Sequence, residues 1–155
     1  MISKLPALLA AALLLTACAG TQHQQSQQIE KGWARAHAIA GECRARRLAG
    51  ELPGHVASAQ CSNDGMRRAI AGGGYPYMDL VNVYLARRLV VAERVDAGEI
   101  SESQGKVEIS DVYAAMSQQS IDRDMAAQSA HNAFTAAYFW FAAQRRQQQY
   151  QKQLL

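Results

Sequence analysis

Apolar residues along this chain recur at the spacing of helical faces, in three or four segments separated by glycine- and proline-rich punctuation. The first helix is expected from about Ile29 to Ala49, with Trp33, Ala36, Ala40, Cys43 and Arg47 on one face. Gly50 and Leu52-Pro53-Gly54 end it. A second, shorter segment from about Val56 to Ala71 carries Val56, Ala59, Met66 and Ile70. Ser62-Asn63-Asp64-Gly65 is a candidate interruption, and Gly72-Gly73-Gly74 is the stop. The third, over residues 77–95, has a broad apolar face of Leu80, Val81, Tyr84, Leu85, Val91 and Val95, the mark of a central, buried helix. Pro76 suits its first turn and Asp79 complements the positive end of its dipole. In the following turn, Gly98 can take the left-handed conformation that closes a helix. Ser101 and Gln104 are spaced as a capping box, with Ile100 as the hydrophobic staple. From Ser101 to Leu155 there is no Pro and a single Gly, Gly105. One continuous helix over that stretch would reach about 80 Å, so its distal part is expected to project, bend back or find a partner.

Composition supports an all-α reading. Apolar residues make up 49% of the chain, but Ala supplies much of that, and aromatic and β-branched residues are few for a sheet protein. A length of 155 residues allows one modest core. The net charge of +3 is too small and too dispersed for a nucleic-acid surface. The basic clusters Arg44-Arg46-Arg47, Arg67-Arg68, Arg87-Arg88 and Arg145-Arg146 read as solvated helix faces, with contact to anionic lipid headgroups as the sharper alternative.

The amino terminus reads as an address. Lys4 precedes an apolar run over residues 5–15 that is shorter than the roughly 20 residues a membrane-spanning helix needs. Its dimensions are those of a signal-peptide core, and it leads into Leu15-Thr16-Ala17-Cys18. Those four residues resemble the lipobox of bacterial lipoproteins. The resemblance covers only the signal and its cleavage site. It implies a diacylglycerol on the Cys18 sulfur, cleavage just before Cys18 and acylation of the new amino group, and two or three acyl chains give stable anchoring. An ordinary secretory signal cut near Ala17 or Ala19, or an uncleaved anchor, are the other readings. Ala19, where an acidic residue often retains such proteins in the inner membrane, points to the outer membrane, facing the periplasm. The expected organisation is a signal peptide at 1–17, the lipidated Cys18 with a flexible Gln-rich linker to residue 28, and an α-helical domain over 29–155. That domain is a small bundle of three to four helices with a long, projecting C-terminal helix. His23 is expected to be a solvated linker residue.

Candidate chemistry is sparse. Cys43 and Cys61 remain after lipidation, an even pair in an oxidising compartment, on consecutive segments joined by a Pro-Gly turn. A disulfide clamping a helical hairpin is the expectation. A metal set of His37, Cys43, His55 and Cys61 is the alternative, without recognised ligand spacing. There is no G-x-S-x-G, H-E-x-x-H or phosphate loop with its Lys, and no cofactor is implied. The loop from Gly72 to Tyr77 precedes a helix amino terminus and is either a hinge or an anion site. Phe134, Tyr138 and Phe141 share a face, as core residues would. Phe139 and Trp140 point elsewhere and are the candidate interaction residues, followed by the basic Gln-Arg end. The expected function is a non-enzymatic structural or accessory subunit of the cell envelope, held by membrane lipid and docking an envelope protein. The alternative is a ligand-binding or hydrolytic envelope protein using the 72–77 loop. A pocket with converging polar groups at that loop would favour the alternative, and a filled core with an exposed aromatic helix the first.

Overall fold

The computed structural model describes the backbone of residues 5–153 and the side chains of residues 23–147, so the lipobox with Cys18 lies outside the described side chains. The fold is all-α, with α1 (Leu5–Leu48), α2 (His55–Gly72), α3 (Met78–Asp96) and α4 (Glu102–Gln153) in chain order. Two compact units divide the chain after Tyr113.

In the first unit α1 packs on α2 and α2 on α3. The core is built from Ala36 and Cys43 of α1, Ala59, Met66, Ala69 and Ile70 of α2, and Leu80, Val81, Tyr84, Leu85, Val91 and Ala92 of α3. The broad face expected of α3 is therefore the buried one. The α1–α2 crossing is close because it is made by glycines. A Cβ on Gly32 would lie 2.9 Å from the Ala69 carbonyl oxygen and 3.0 Å from the Gly73 Cα, and one on Gly73 would lie 2.8 Å from the Gln28 carbonyl. Within the glycine run 72–74, Gly73 thus serves helix packing as well as termination. Around that crossing Trp33 meets Tyr75 and Tyr113 edge to face, with centroids 5.5 and 5.6 Å apart. Tyr84 continues the cluster through Tyr113.

Three details differ from the sequence expectation. Residues 23–28, expected as flexible linker, are helical and continue α1. Gln is a good helix former, the Gln27 and His23 side chains pair at 3.0 Å, and Ser26 Oγ donates to the His23 carbonyl. The Gln28 carbonyl then lies beside Gly73, so the end of this otherwise exposed stretch meets α2. Ser62-Asn63-Asp64-Gly65 does not interrupt α2. Ser62 Oγ donates back to the Ser58 and Ala59 carbonyls, Asn63 donates to the Leu85 carbonyl on α3, and Gly65 makes room for Ile39. Pro76 sits outside α3, whose N-cap is Tyr77.

The turn from α3 to α4 follows its sequence. Gly98 has φ +71°, Glu99 N–H donates to the Arg94 carbonyl and Gly98 N–H to that of Val95, a Schellman closure. Ser101 N–H donates to Gln104 Oε1 at 2.9 Å and Gln104 N–H to Ser101 Oγ at 3.2 Å, completing the capping box. α2 has no side-chain cap of its own. Its first N–H groups, of His55 and Val56, donate to the Asp96 carboxylate from the end of α3, both at 2.9 Å.

The second unit is the remainder of α4, one uninterrupted helix of 52 residues in all. Met116 is buried, but from Ile121 to Gln147 only Thr135 and Ala142 are even half-buried.

Candidate functional site

Cys43 and Cys61 form the expected disulfide between α1 and α2, with Cα atoms 6.0 Å apart. Both sulfurs are consumed in it, so the set His37, Cys43, His55 and Cys61 cannot act as a thiolate metal site. No group of His, Cys, Asp and Glu among the described residues is arranged to hold a metal ion. No described helix is long and apolar enough to cross a membrane.

Phe139 and Trp140 are exposed, at 62% and 58%. Phe134, Tyr138 and Phe141, whose shared face suggested core residues, are exposed too. A shared helical face marks a core residue only where another element covers it, and in this stretch none of the five is covered. Among the described residues these rings pair only with sequence neighbours, Tyr138 with Phe139 and Trp140 with Phe141. At about 100° per residue, Phe134, Tyr138 and Phe141 occupy one side of α4, while Phe139 and Trp140 lie to either flank. The aromatic surface therefore runs round most of the helix.

Tyr75 of the 72–77 loop is held against Trp33 and Tyr77, and no residue of 72–77 lines the groove found in the first unit. That groove, of about 460 Å³, lies instead between the second half of α1, the start of α2, the end of α3 and the start of α4. Its apolar floor includes Ala59, Val91, Ala92, Val95 and Ile109, and its walls carry Arg44, Arg47, Arg88 and Lys106 with His37 and His55. Glu102 is the single carboxylate lining it.

Glu102 gathers most of the nearby positive charge. Lys106 Nζ lies 3.0 Å from it, Arg47 Nη2 3.6 Å and His55 Nε2 3.7 Å. The Lys106 hydrogen bond, opposed by some burial and aided by Lys106, Arg47 and His55 charge, holds the Glu102 carboxyl below the usual carboxylate range. Arg88 is different. It donates to Asn63 Oδ1 at 2.8 Å, Met66 Sδ at 2.6 Å and Ser62 Oγ at 3.2 Å and lies 5.9 Å from the Tyr84 ring centroid, all neutral partners. Burial pushes its guanidinium below the ordinary arginine value, partly countered by Tyr84.

Sequence reading placed Arg44, Arg47 and Arg88 on solvated faces; Arg44 is exposed as expected, but the Arg47 side chain is only 17% exposed and Arg88 is part-buried. The available signal was Gly41, an isolated glycine inside a helical pattern. Comparison with known proteins adds nothing to this geometry: no family model, no curated protein and no solved structure matches the chain.

Proposed function

We propose that the chain is a lipid-anchored envelope lipoprotein that acts through its surface rather than through a catalytic constellation. In this reading it is an accessory subunit that docks an envelope protein through the aromatic stretch of α4. The anchor rests on the lipobox resemblance at Cys18. The docking role rests on one observation, the exposure of Phe134, Tyr138, Phe139, Trp140 and Phe141 together on a helix with no buried residue around them. Clusters of exposed aromatic side chains of this kind mark interaction surfaces. Because the rings occupy several sides of the helix, a flat partner would leave some of them in water. The partner that fits is a concave surface or a set of helices enclosing this segment.

The test is the double variant Phe139→Ala, Trp140→Ala, compared with wild type by thermal melts and by in-cell crosslinking from position 138. Unchanged melting with loss of the crosslinked species is the expected result. A substantial fall in melting temperature would make the two residues part of the folded core and remove the docking role.

A further inference from the structure

The groove of the first unit raises a separate question, because its charges do not balance. Four permanent cations line it against one carboxylate. Glu102 is already shared by Arg47, His55 and Lys106, which leaves the exposed Arg44 and the part-buried Arg88 with no carboxylate within ion-pair distance among the described residues. Arg88 has five N–H donors, and three of them are taken by neutral acceptors, Asn63 Oδ1, Met66 Sδ and Ser62 Oγ. A part-buried cation without a counter-charge is costly. The floor beneath it is aliphatic, with Val91 and Ala92 buried.

Gly41 adds an independent observation. It lines the groove, and a Cβ there would meet nothing within 4 Å. A glycine in mid-helix costs roughly 0.5–1 kcal/mol relative to alanine, and no packing contact among the described residues requires it. What the missing side chain leaves is open volume over the apolar floor.

We propose that this groove binds a small anionic amphiphile, its phosphate or carboxylate head held by Arg44 and Arg88 and its apolar body resting on Val91, Val95 and Ile109. Arginine is suited to bidentate recognition of such heads. A volume of about 460 Å³ falls in the range of small-molecule sites, about 300–1,000 Å³, and the floor calls for an apolar body that a bare inorganic anion lacks. The site lies wholly within residues 37–109 and does not depend on the aromatic surface of α4.

Calorimetric titration of the full chain with hexyl phosphate, inorganic phosphate and hexanol tests both halves of the site. Hexyl phosphate should bind at least about tenfold more tightly than either fragment, the scale of one charge-assisted hydrogen bond. Arg44→Gln should weaken it by roughly the same factor, and Gly41→Phe should block it, both without loss of melting temperature. Arg88→Gln should also abolish binding, but Arg88 braces α2 against α3, so the first two variants carry the test. Equal binding of hexanol or inorganic phosphate, wild-type binding by Arg44→Gln and Gly41→Phe, or no binding of hexyl phosphate would each overturn the proposal. Phosphatidylglycerol vesicles, tested on the same variants, separate the sources of this chemistry. Parallel loss of vesicle binding assigns the head to membrane lipid, and retained vesicle binding with lost hexyl phosphate binding assigns it to a soluble amphiphile.

Discussion

Asp96 stands at the end of α3, where a negative charge faces the negative pole of its own helix. Its role is clear only from α2, whose first two N–H groups it accepts. Burial alone would raise its carboxyl. The hydrogen bonds from Val56 and His55, with His55 and Arg47 charge, outweigh that and hold it below the ordinary value. A depressed carboxyl contributes its stability above the unfolded value, about 3.9, and loses it as pH falls through the lower folded value. Asp96→Ala should therefore cost about 1 kcal/mol at neutral pH, as the loss of a helix cap does. In urea melts the gap to wild type should close below about pH 4. A Cβ on Gly54 would lie 2.6 Å from Asp96 Oδ2, so Gly54→Ala should displace the same cap. The double variant should then be less destabilised than the sum of the singles. The Cys43–Cys61 bridge closes a separation of 18 residues. Its removal in Cys43→Ala, Cys61→Ala should cost roughly 3 kcal/mol in the chain-entropy model, read as a lower urea midpoint. An unchanged midpoint would mean that the bridge contributes nothing to folding.

Two glycines of α1 separate the needs of a helix from those of its packing. Gly32 touches backbone of α2, while Gly41 faces open space. Gly41→Ala should stabilise by up to about 1 kcal/mol through helix propensity. Gly32→Ala gains the same propensity but must push apart two backbones that cannot give way as a side chain would. Overpacking of this kind costs about 1–3 kcal/mol, so Gly32→Ala should lower the melting temperature while Gly41→Ala raises it. Equal effects would show that the crossing opens freely. α4 begins with a complete capping box and an ion pair from Arg94 to Glu108 at 2.6 Å. Its later turns, from Ile121, bury no side chain among the described residues. Helix continuity there rests on local propensity and i,i+4 side-chain pairs such as Gln118 with Asp122 and Gln128 with Asn132.

At the scale of the whole molecule the proposed anchor sets the context for everything else. Cys18→Ala should abolish incorporation of labelled fatty acid and leave the precursor uncleaved, because both steps in the lipoprotein pathway that the lipobox resembles act through that thiol. Normal labelling in the variant would remove the lipoprotein reading while leaving the helical fold untouched. The oxidising environment outside the cytoplasm is also the one in which the Cys43–Cys61 bridge persists.

Periodicity and punctuation in the sequence sufficed for α2, α3 and the second half of α1, the Gly98 closure and the Ser101–Gln104 box, because each depends on residues within a few positions of one another. The disulfide was legible for a related reason: two cysteines on neighbouring helices joined by a short turn have few other partners. What only the tertiary structure decided depends on residues far apart in the chain. Asp96 caps α2 across 41 positions, Gly32 and Gly73 meet because two helices cross there, and Arg44 and Arg88 share a groove through packing that no local pattern specifies. Phe134, Tyr138 and Phe141 show the same limit from the other side. Spacing placed them on one face of α4, but whether such a face is core or surface depends on what covers it, and that is a property of the fold.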